Sequence, residues 1–457
     1  MTALYADTRN LAPDATAMAE DFAHGRNDPV QALDRALRRT ALVDHVFISL
    51  NVDRARREAE ASAARWKAGQ PLSAFDGVPL AWKDLFDVAG SITTAGASVR
   101  RGLSPALVDA PSVSLLTRAG MVNVGKTNLS EFAYSGLGLN PHFGTPHNPH
   151  GLDQPRIPGG SSAGSAVAVA AGIVPIAMGT DTAGSIRIPA AFNGLVGFRS
   201  SSRRYSRDGV FPLAHTLDSI GPLTRSVRDV MVIDDLLCSR NKPRPVLPRS
   251  LAGQRFWVEQ TVLEDPRVED AVGVNLLRAV EGLRAAGAYV VVGPCLAFQA
   301  AMTLIEQHGW LGAAEAFALH HALLDSGEAE FLDPRVRRRL ETARHMPASQ
   351  LLKLYAGRES LQAQLTLELD GAVLITPSVA HVAPPFLPLL ADDELFARTN
   401  LATLRLTMPG SLLNMPGVSL PSGRDAQGMP TGLLLSAPAG EDARLLRAAL
   451  AVETILI

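Results

Sequence analysis

The spacing of apolar positions changes character near Gly77. Before it, residues 28–68 carry apolar side chains at helical intervals, and the charged stretch Arg54–Glu60 reads as the solvated face of a helix. Beyond it, short apolar runs alternate with helical ones. Met121–Val124 and Val174–Met178 read as buried strands, whereas Ser112–Ala119 and Ser162–Ala171 read as helices, the second closed by Gly172. Alternation of this kind predicts a sheet with helices on both faces.

The second half keeps the pattern after an interruption. Ser239–Ser250 is basic, holds three prolines and reads as a surface linker. Asp265–Ala286 has Pro266 near its start and Gly287 just past its end, the punctuation of a helix. Tyr289–Val292, Ala372–Thr376 and Gly432–Ser436 have strand character, and Glu441–Glu453 closes the chain as a helix. One sheet is therefore expected to draw strands from both halves, with the linker internal to a single α/β domain over 1–457. Within it we expect N-terminal helices over 1–70, a catalytic core over 70–235, and a helical cap-like region over 296–369 that faces substrate or a second copy.

Composition narrows the function classes. At 457 residues and 47% hydrophobic, the chain can bury a large core. A net charge of −2 gives no whole-chain attraction to nucleic acid or an anionic membrane. Cys238 and Cys295 stand far apart and in no CxxC pattern, so packed thiols in a reducing cytoplasm are expected. No secretory pattern and no bilayer-length apolar run is visible. His142, His147 and His150 share a Pro/Asn-rich loop and His320-His321 lie on a helix, neither with the spacing of metal ligands. No metal and no organic cofactor is expected.

The chemistry concentrates in three stretches. Ser161 lies in Gly159-Gly160-Ser161-Ser162-Ala163-Gly164-Ser165, and Ser185, 24 residues on, ends Gly179-Thr180-Asp181-Thr182-Ala183-Gly184-Ser185. Lys83 follows an apolar run and is flanked by Val78, Leu80, Trp82, Leu85 and Phe86. A serine hydroxyl needs a base beside it to become a nucleophile. A lysine serves only when neutral, and burial in an apolar pocket disfavours the ammonium. A second serine can pass the proton between them. The tight turn after the strand can converge successive N–H groups on one oxygen, and the start of the Ser162–Ala171 helix favours negative charge nearby. These residue types together point to acyl transfer.

Two other patterns compete for the same region. Gly120–Thr127 matches GxxxxGK[ST], but Met121–Val124 reads as strand where a phosphate-binding loop must be open. Gly160-Ser161-Ser162-Ala163-Gly164 matches GxSxG around Ser162, but Gln154–Pro158 before it is a poor strand because its prolines lack a ladder donor.

Gly159–Ser165, Gly179–Pro189, the Lys83 segment, Gly125–Phe132, Leu217–Pro222 and Pro416–Pro421 together resemble the amidase signature family, strongly over about residues 70–235. The resemblance implies a Ser–cisSer–Lys triad. Ser185 would be the nucleophile, Ser161 the bridge after a cis bond from Gly160, and Lys83 the base. Oxyanion N–H groups would come from Thr182, Ala183, Gly184 and Ser185, with Ser162, Asp181 and Arg187 in support. The family also places the acyl pocket near Tyr134 and Ser135, and the bulk of Trp82 beside the lysine is expected to shape it. Ala163 and Ala183 stand where the family usually has glycine; neither removes a donor.

The expected activity is hydrolysis of the C–N bond of a small amide, aryl amide, carbamate or urethane through an acyl-enzyme. The expected partner is that small molecule alone, without nucleic acid or membrane, for a monomer or homodimer. Rival readings are the amidase component of a tRNA-dependent amidotransferase, a Ser–His esterase acting through Ser162, and a P-loop nucleotide-binding module.

Overall fold

Period-two alternation along the buried strands decides which side chains meet which helices. In the computed structural model, which describes residues 12–240 and 250–456, the strands are β1 (Phe47–Leu50), β2 (Pro79–Lys83), β3 (Val122–Thr127), β4 (Ile176–Asp181), β5 (Val196–Arg199), β6 (Ser219–Thr224), β7 (Arg255–Glu259), β8 (Tyr289–Gly293), β9 (Val373–Pro377), β10 (Gly417–Arg424) and β11 (Pro430–Ser436). They form one sheet in the order β1-β3-β2-β4-β6-β5-β10-β11-β9-β7-β8. Pairing is mixed: β2 runs parallel to β3 and β4, whereas β6 is antiparallel to β4 and β5, and β10 to β5 and β11. A single α/β domain results, its sheet shared by both halves.

Leu80 and Trp82 of β2, Ile176 and Met178 of β4, and Val373 and Ile375 of β9 point to one face. There they pack against helices Val227–Leu237, Asp270–Ala285 and Asp442–Leu456. Ala81 and Ala177, one residue out of phase, point to the opposite face with Leu33, Ala55, Ala59 and the small-residue helix Ala163–Ala170. Lys83 shares the parity of Ala81 and so emerges on that second face.

Several expectations need correction. Residues 28–68 are not all helical: β1 lies between helices Pro29–Thr40 and Val52–Lys67 and pairs antiparallel with β3. The helix read from Asp265 begins at Asp270, because Asp265–Glu269 folds into turns, with the Val268 N–H donating to the Asp265 carbonyl. Most of the linker reading falls on 241–249, outside the described residues. The segment 296–369 is helical, with Leu296–His308, Leu311–Leu324, Pro334–Glu341 and Ala348–Leu369.

Candidate active site

β2 ends at Lys83 and β4 ends at Asp181, and because the two strands are parallel neighbours their C-terminal ends lie side by side. Lys83 is fully buried. Its Nζ donates to Ser161 Oγ at 2.7 Å and to Thr180 Oγ1 at 2.9 Å, with the Thr180 carbonyl at 3.5 Å. Burial pushes the ammonium down to about 7, against the opposing charges of Asp181 and Asp218.

Ser161 follows a cis peptide bond from Gly160. A Cβ on Gly160 would lie 2.6 Å from the Gly138 nitrogen and 2.7 Å from the Ser135 carbonyl oxygen, so only glycine fits there. Its N–H donates to the Gly136 carbonyl at 2.7 Å, which holds Tyr134–Gly136 against the serine. Ser162 stands at the N-cap of Ala163–Ala170; its N–H donates to the Ser185 carbonyl at 3.3 Å and its Oγ to the Thr180 carbonyl at 3.4 Å. Among the described residues, Ser185 Oγ makes no hydrogen bond, to Ser161 or to any other group, although the side chain is nearly buried.

The turn from Asp181 to Ser185 is built around the Asp181 carboxylate. It accepts the N–H groups of Gly184 at 2.8 Å and Ile186 at 3.1 Å, together with Arg187 Nε at 3.0 Å and Nη2 at 2.9 Å, and Arg199 Nη1 at 3.1 Å. Burial alone would raise this carboxyl; the two guanidinium groups reverse that and hold it below the usual carboxylate range. Arg187 continues to the Thr407 carbonyl and Ser411 Oγ, and Arg199 to the Leu217 carbonyl, so segments distant in sequence brace one turn. Thr182 Oγ1 donates at 2.5 Å to Asp218, whose other oxygen takes the N–H groups of Leu213 and Ala214. Of the four N–H groups that the resemblance implies for an oxyanion, that of Gly184 is committed to Asp181. Those of Thr182, Ala183 and Ser185 make no hydrogen bond among the described residues. The Ala183 methyl joins an apolar cluster with Ile188, Ile305 and Trp310, which accommodates it in place of glycine.

Trp82 does not reach this site. It is fully buried on the other face of the sheet, tilted against Phe86 at 5.1 Å, with Nε1 donating to Asn123 at 2.7 Å. Strand alternation between residues 82 and 83 is the reason, and it also removes Leu80 from the shelter of the amine; Phe86, past the end of β2, packs with Trp82 instead. Tyr134 and Ser135 do lie beside the site, buried, with Ser135 Oγ donating to Asn400 at 3.2 Å. Lys126 is no phosphate-loop lysine: it sits inside β3, buried and paired with Asp84 at 2.7 Å. No histidine is a hydrogen-bond partner of Ser161, Ser162 or Lys83 among the described residues. Sequence reading assigned no role to Thr180, Arg199, Asp218 and Thr407; Thr180 and Asp218 stood inside quoted stretches, whereas Arg199 and Thr407 carry no local signal.

A buried amine, a hydroxyl cluster and a donor-rich turn on a mixed sheet define the class as an amide-hydrolysing enzyme. The sequence profile of the Amidase family matches residues 31–446, and the chain belongs to this family, that of the amidase signature enzymes. It is 35% identical over 409 residues to 2-amino-5-chloromuconic acid deaminase of Comamonas testosteroni, covering 88% of this chain and 87% of that protein. It is 32% identical to a glutamyl-tRNA(Gln) amidotransferase subunit of Renibacterium salmoninarum, covering 96% and 93% of the two chains. A crystal structure of an amidase superposes with a TM-score of 0.85 at 33% identity, covering 97% of this chain and all of that one.

Proposed function

We propose that this chain hydrolyses the C–N bond of a small amide through an acyl-enzyme on Ser185, with Ser161 and Lys83 as its proton relay. The observation that carries the reading is the fully buried Lys83 Nζ, 2.7 Å from Ser161 Oγ and poised near neutrality at about 7. Ser185 Oγ attacks the carbonyl carbon and releases its proton to Ser161, whose own proton passes to the Nζ lone pair. The N–H groups of Thr182, Ala183 and Ser185 receive the oxyanion. Collapse breaks the C–N bond, and the relay returns the proton to the departing nitrogen. Water then attacks the ester by the same route, releasing the carboxylic acid and restoring Ser185. In the attacking arrangement Ser185 Oγ donates to Ser161 Oγ, a contact of the kind that commonly tightens only in the complex with the reacting carbonyl.

The substrate we favour carries a carboxylate. Arg339 Nη1 donates to the Tyr134 carbonyl, its guanidinium lies 4.4 Å over the Tyr134 ring, and it has no carboxylate partner among the described residues. Burial lowers its affinity for its own proton, so a bound anion beside it gains more than at a solvated arginine. A relative named for an amino-chloromuconic acid is in keeping with an anionic substrate. The similarity to an amidotransferase component keeps a second reading, in which the chain supplies ammonia to partner proteins.

Mass spectrometry after exposure to a fluorophosphonate probe is expected to find the label on Ser185, and Lys83→Ala and Ser185→Ala to remove nearly all turnover from a folded protein. A label on Ser162, or wild-type rates in either variant, overturns the relay. Turnover by the isolated chain of half-amides of four- to six-carbon dicarboxylic acids in preference to matched neutral amides supports the substrate class. Absence of turnover across both series defeats it and favours the amidotransferase reading.

A further inference from the structure

The segment that follows β3 crosses between the serine cluster and helix Pro334–Glu341. On one side it is tied to the serines: the Ser130 N–H donates to the Ser161 carbonyl at 3.2 Å, and the Gly160 N–H to the Gly136 carbonyl at 2.7 Å. On the other side it makes two contacts with the helix. The Glu131 carboxylate, fully buried, takes the N–H of Asp333 at 2.7 Å, and Asp333 is the N-cap of the helix. The Tyr134 carbonyl takes Arg339 Nη1 from the same helix. The Tyr134 N–H returns to the Glu131 carbonyl at 3.0 Å and closes a ring of contacts.

From this ring we infer that Glu131 is a positioning residue for substrate selection, fixing the start of helix Pro334–Glu341 so that Arg339 stands over Tyr134, in the segment tied to Ser161. Glu131 does not touch the reacting atoms. It acts through a single backbone proton, that of Asp333, and its second oxygen lies 3.1 Å from His142 Nε2. Two features argue against mere filling of space. A buried carboxylate is a costly way to occupy volume unless its hydrogen bonds fix a geometry. The geometry it fixes is that of the guanidinium left without an anion. Phe132 and Ala133, at φ 50° and 59°, turn the chain so that residues 131 and 134 both face the helix. Without the Glu131 anchor the helix keeps its Asp333 side-chain cap and the packing of Val336 and Leu340 beside Phe132–Tyr134, but its first turn is no longer tied to residue 131 and the angle at which Arg339 meets Tyr134 is freed. This inference rests on the anionic-substrate reading above.

The test compares KM and kcat for succinamate and butyramide, a charged and a neutral amide of similar length. Glu131→Ala is expected to raise KM for succinamate about tenfold, leaving its kcat and both constants for butyramide within about twofold, the signature of lost binding rather than lost chemistry. Glu131→Gln, which keeps an acceptor for Asp333, is expected to behave as wild type. Asp333→Pro removes the same hydrogen bond from the donor side, φ at Asp333 being −54°, but also the side-chain cap on Arg335, so Asp333→Ala, which loses the cap and keeps the N–H, is its control and is expected to leave selectivity unchanged. Asp333→Pro is expected to reproduce the selective rise and carries the test should Glu131→Ala fail to fold by circular dichroism. Equal losses on both amides, no loss in either variant, or failure of Glu131→Gln to preserve selectivity overturns the inference. Arg339→Met separates it from the reading beneath: if that variant keeps the wild-type preference for succinamate, the anionic-substrate reading itself falls.

Discussion

Lys83 has charge chemistry only because of where β2 ends. Its pKa near 7 follows from complete burial, which outweighs the attraction of Asp181 and Asp218. The neutral amine is the active form, so kcat/KM is expected to rise with pH through about 7 and level off above it, the single ascending limb of a base in the free enzyme. Asp218→Asn removes a negative charge that favours the ammonium, and the limb is expected to move to lower pH. Steady-state rates between pH 5 and 9 would show both effects, and a flat profile in the parent protein would exclude a lysine base. Gly184 makes a second demand of single-residue kind. Its φ is +138°, and a Cβ there would lie 2.3 Å from Thr407 Oγ1 and 2.6 Å from Ile188 Cδ1. Gly184→Ala is expected to displace the adjacent N–H groups and lower kcat by on the order of a hundredfold or more. Turnover within a factor of two of the parent would show that the turn is not what stabilises the oxyanion.

At the scale of elements, legibility followed burial pattern and local punctuation. The helix Ala163–Ala170 and strands β3, β4, β8, β9 and β11 announced themselves through uniform apolar runs ended by glycine or a polar cluster. β2 and β6 did not: Pro79–Lys83 and Ser219–Thr224 mix proline, lysine and hydroxyls with apolar residues, and only their central place in the sheet makes them strands. The two serines and the lysine were legible because each sits in a distinctive stretch of small or apolar residues. Arg199 and Thr407 were not, since each acts through contacts across 18 or 224 residues of chain, and Asp218, though inside the Leu217–Pro222 stretch, gave no sign of its partner Thr182, 36 residues before it. Trp82 was misplaced because adjacency in sequence means opposite faces in a strand. The turn after β4 depends most on such long-range help. Asp181→Asn would leave Arg187 and Arg199 buried without their common carboxylate, and unfolding free energy is expected to fall by about 3–5 kcal/mol. A thermal midpoint equal to that of the parent would mean that the guanidinium groups find other partners.

Across the whole molecule, the sheet joins the two halves of the chain at its centre. β5 lies between β6 of the first half and β10 of the second, pairing Val418 with Phe198 and Leu223 with Gly197. The site is braced in the same manner: Asn400 Oδ1 accepts from Ser135 and Gly136, and Thr407 and Ser411 accept from Arg187. The motif-bearing half therefore lacks, by itself, one neighbour of β5 and the acceptors that orient the Asp181 turn. Exposed β5 and the apolar face shared with β10 and β11 leave it without the burial that folding of a large domain requires. A fragment of residues 1–240 made alone is accordingly expected to show no cooperative thermal transition and no labelling of Ser185 by a fluorophosphonate. Co-expression with residues 250–457 is expected to restore both, because the pairing of β5 with β10 requires no covalent link between the halves. Cooperative unfolding together with labelling in the isolated fragment would show that residues 1–240 constitute a domain in their own right, and the proposed single catalytic unit would then have to be divided between β5 and β10.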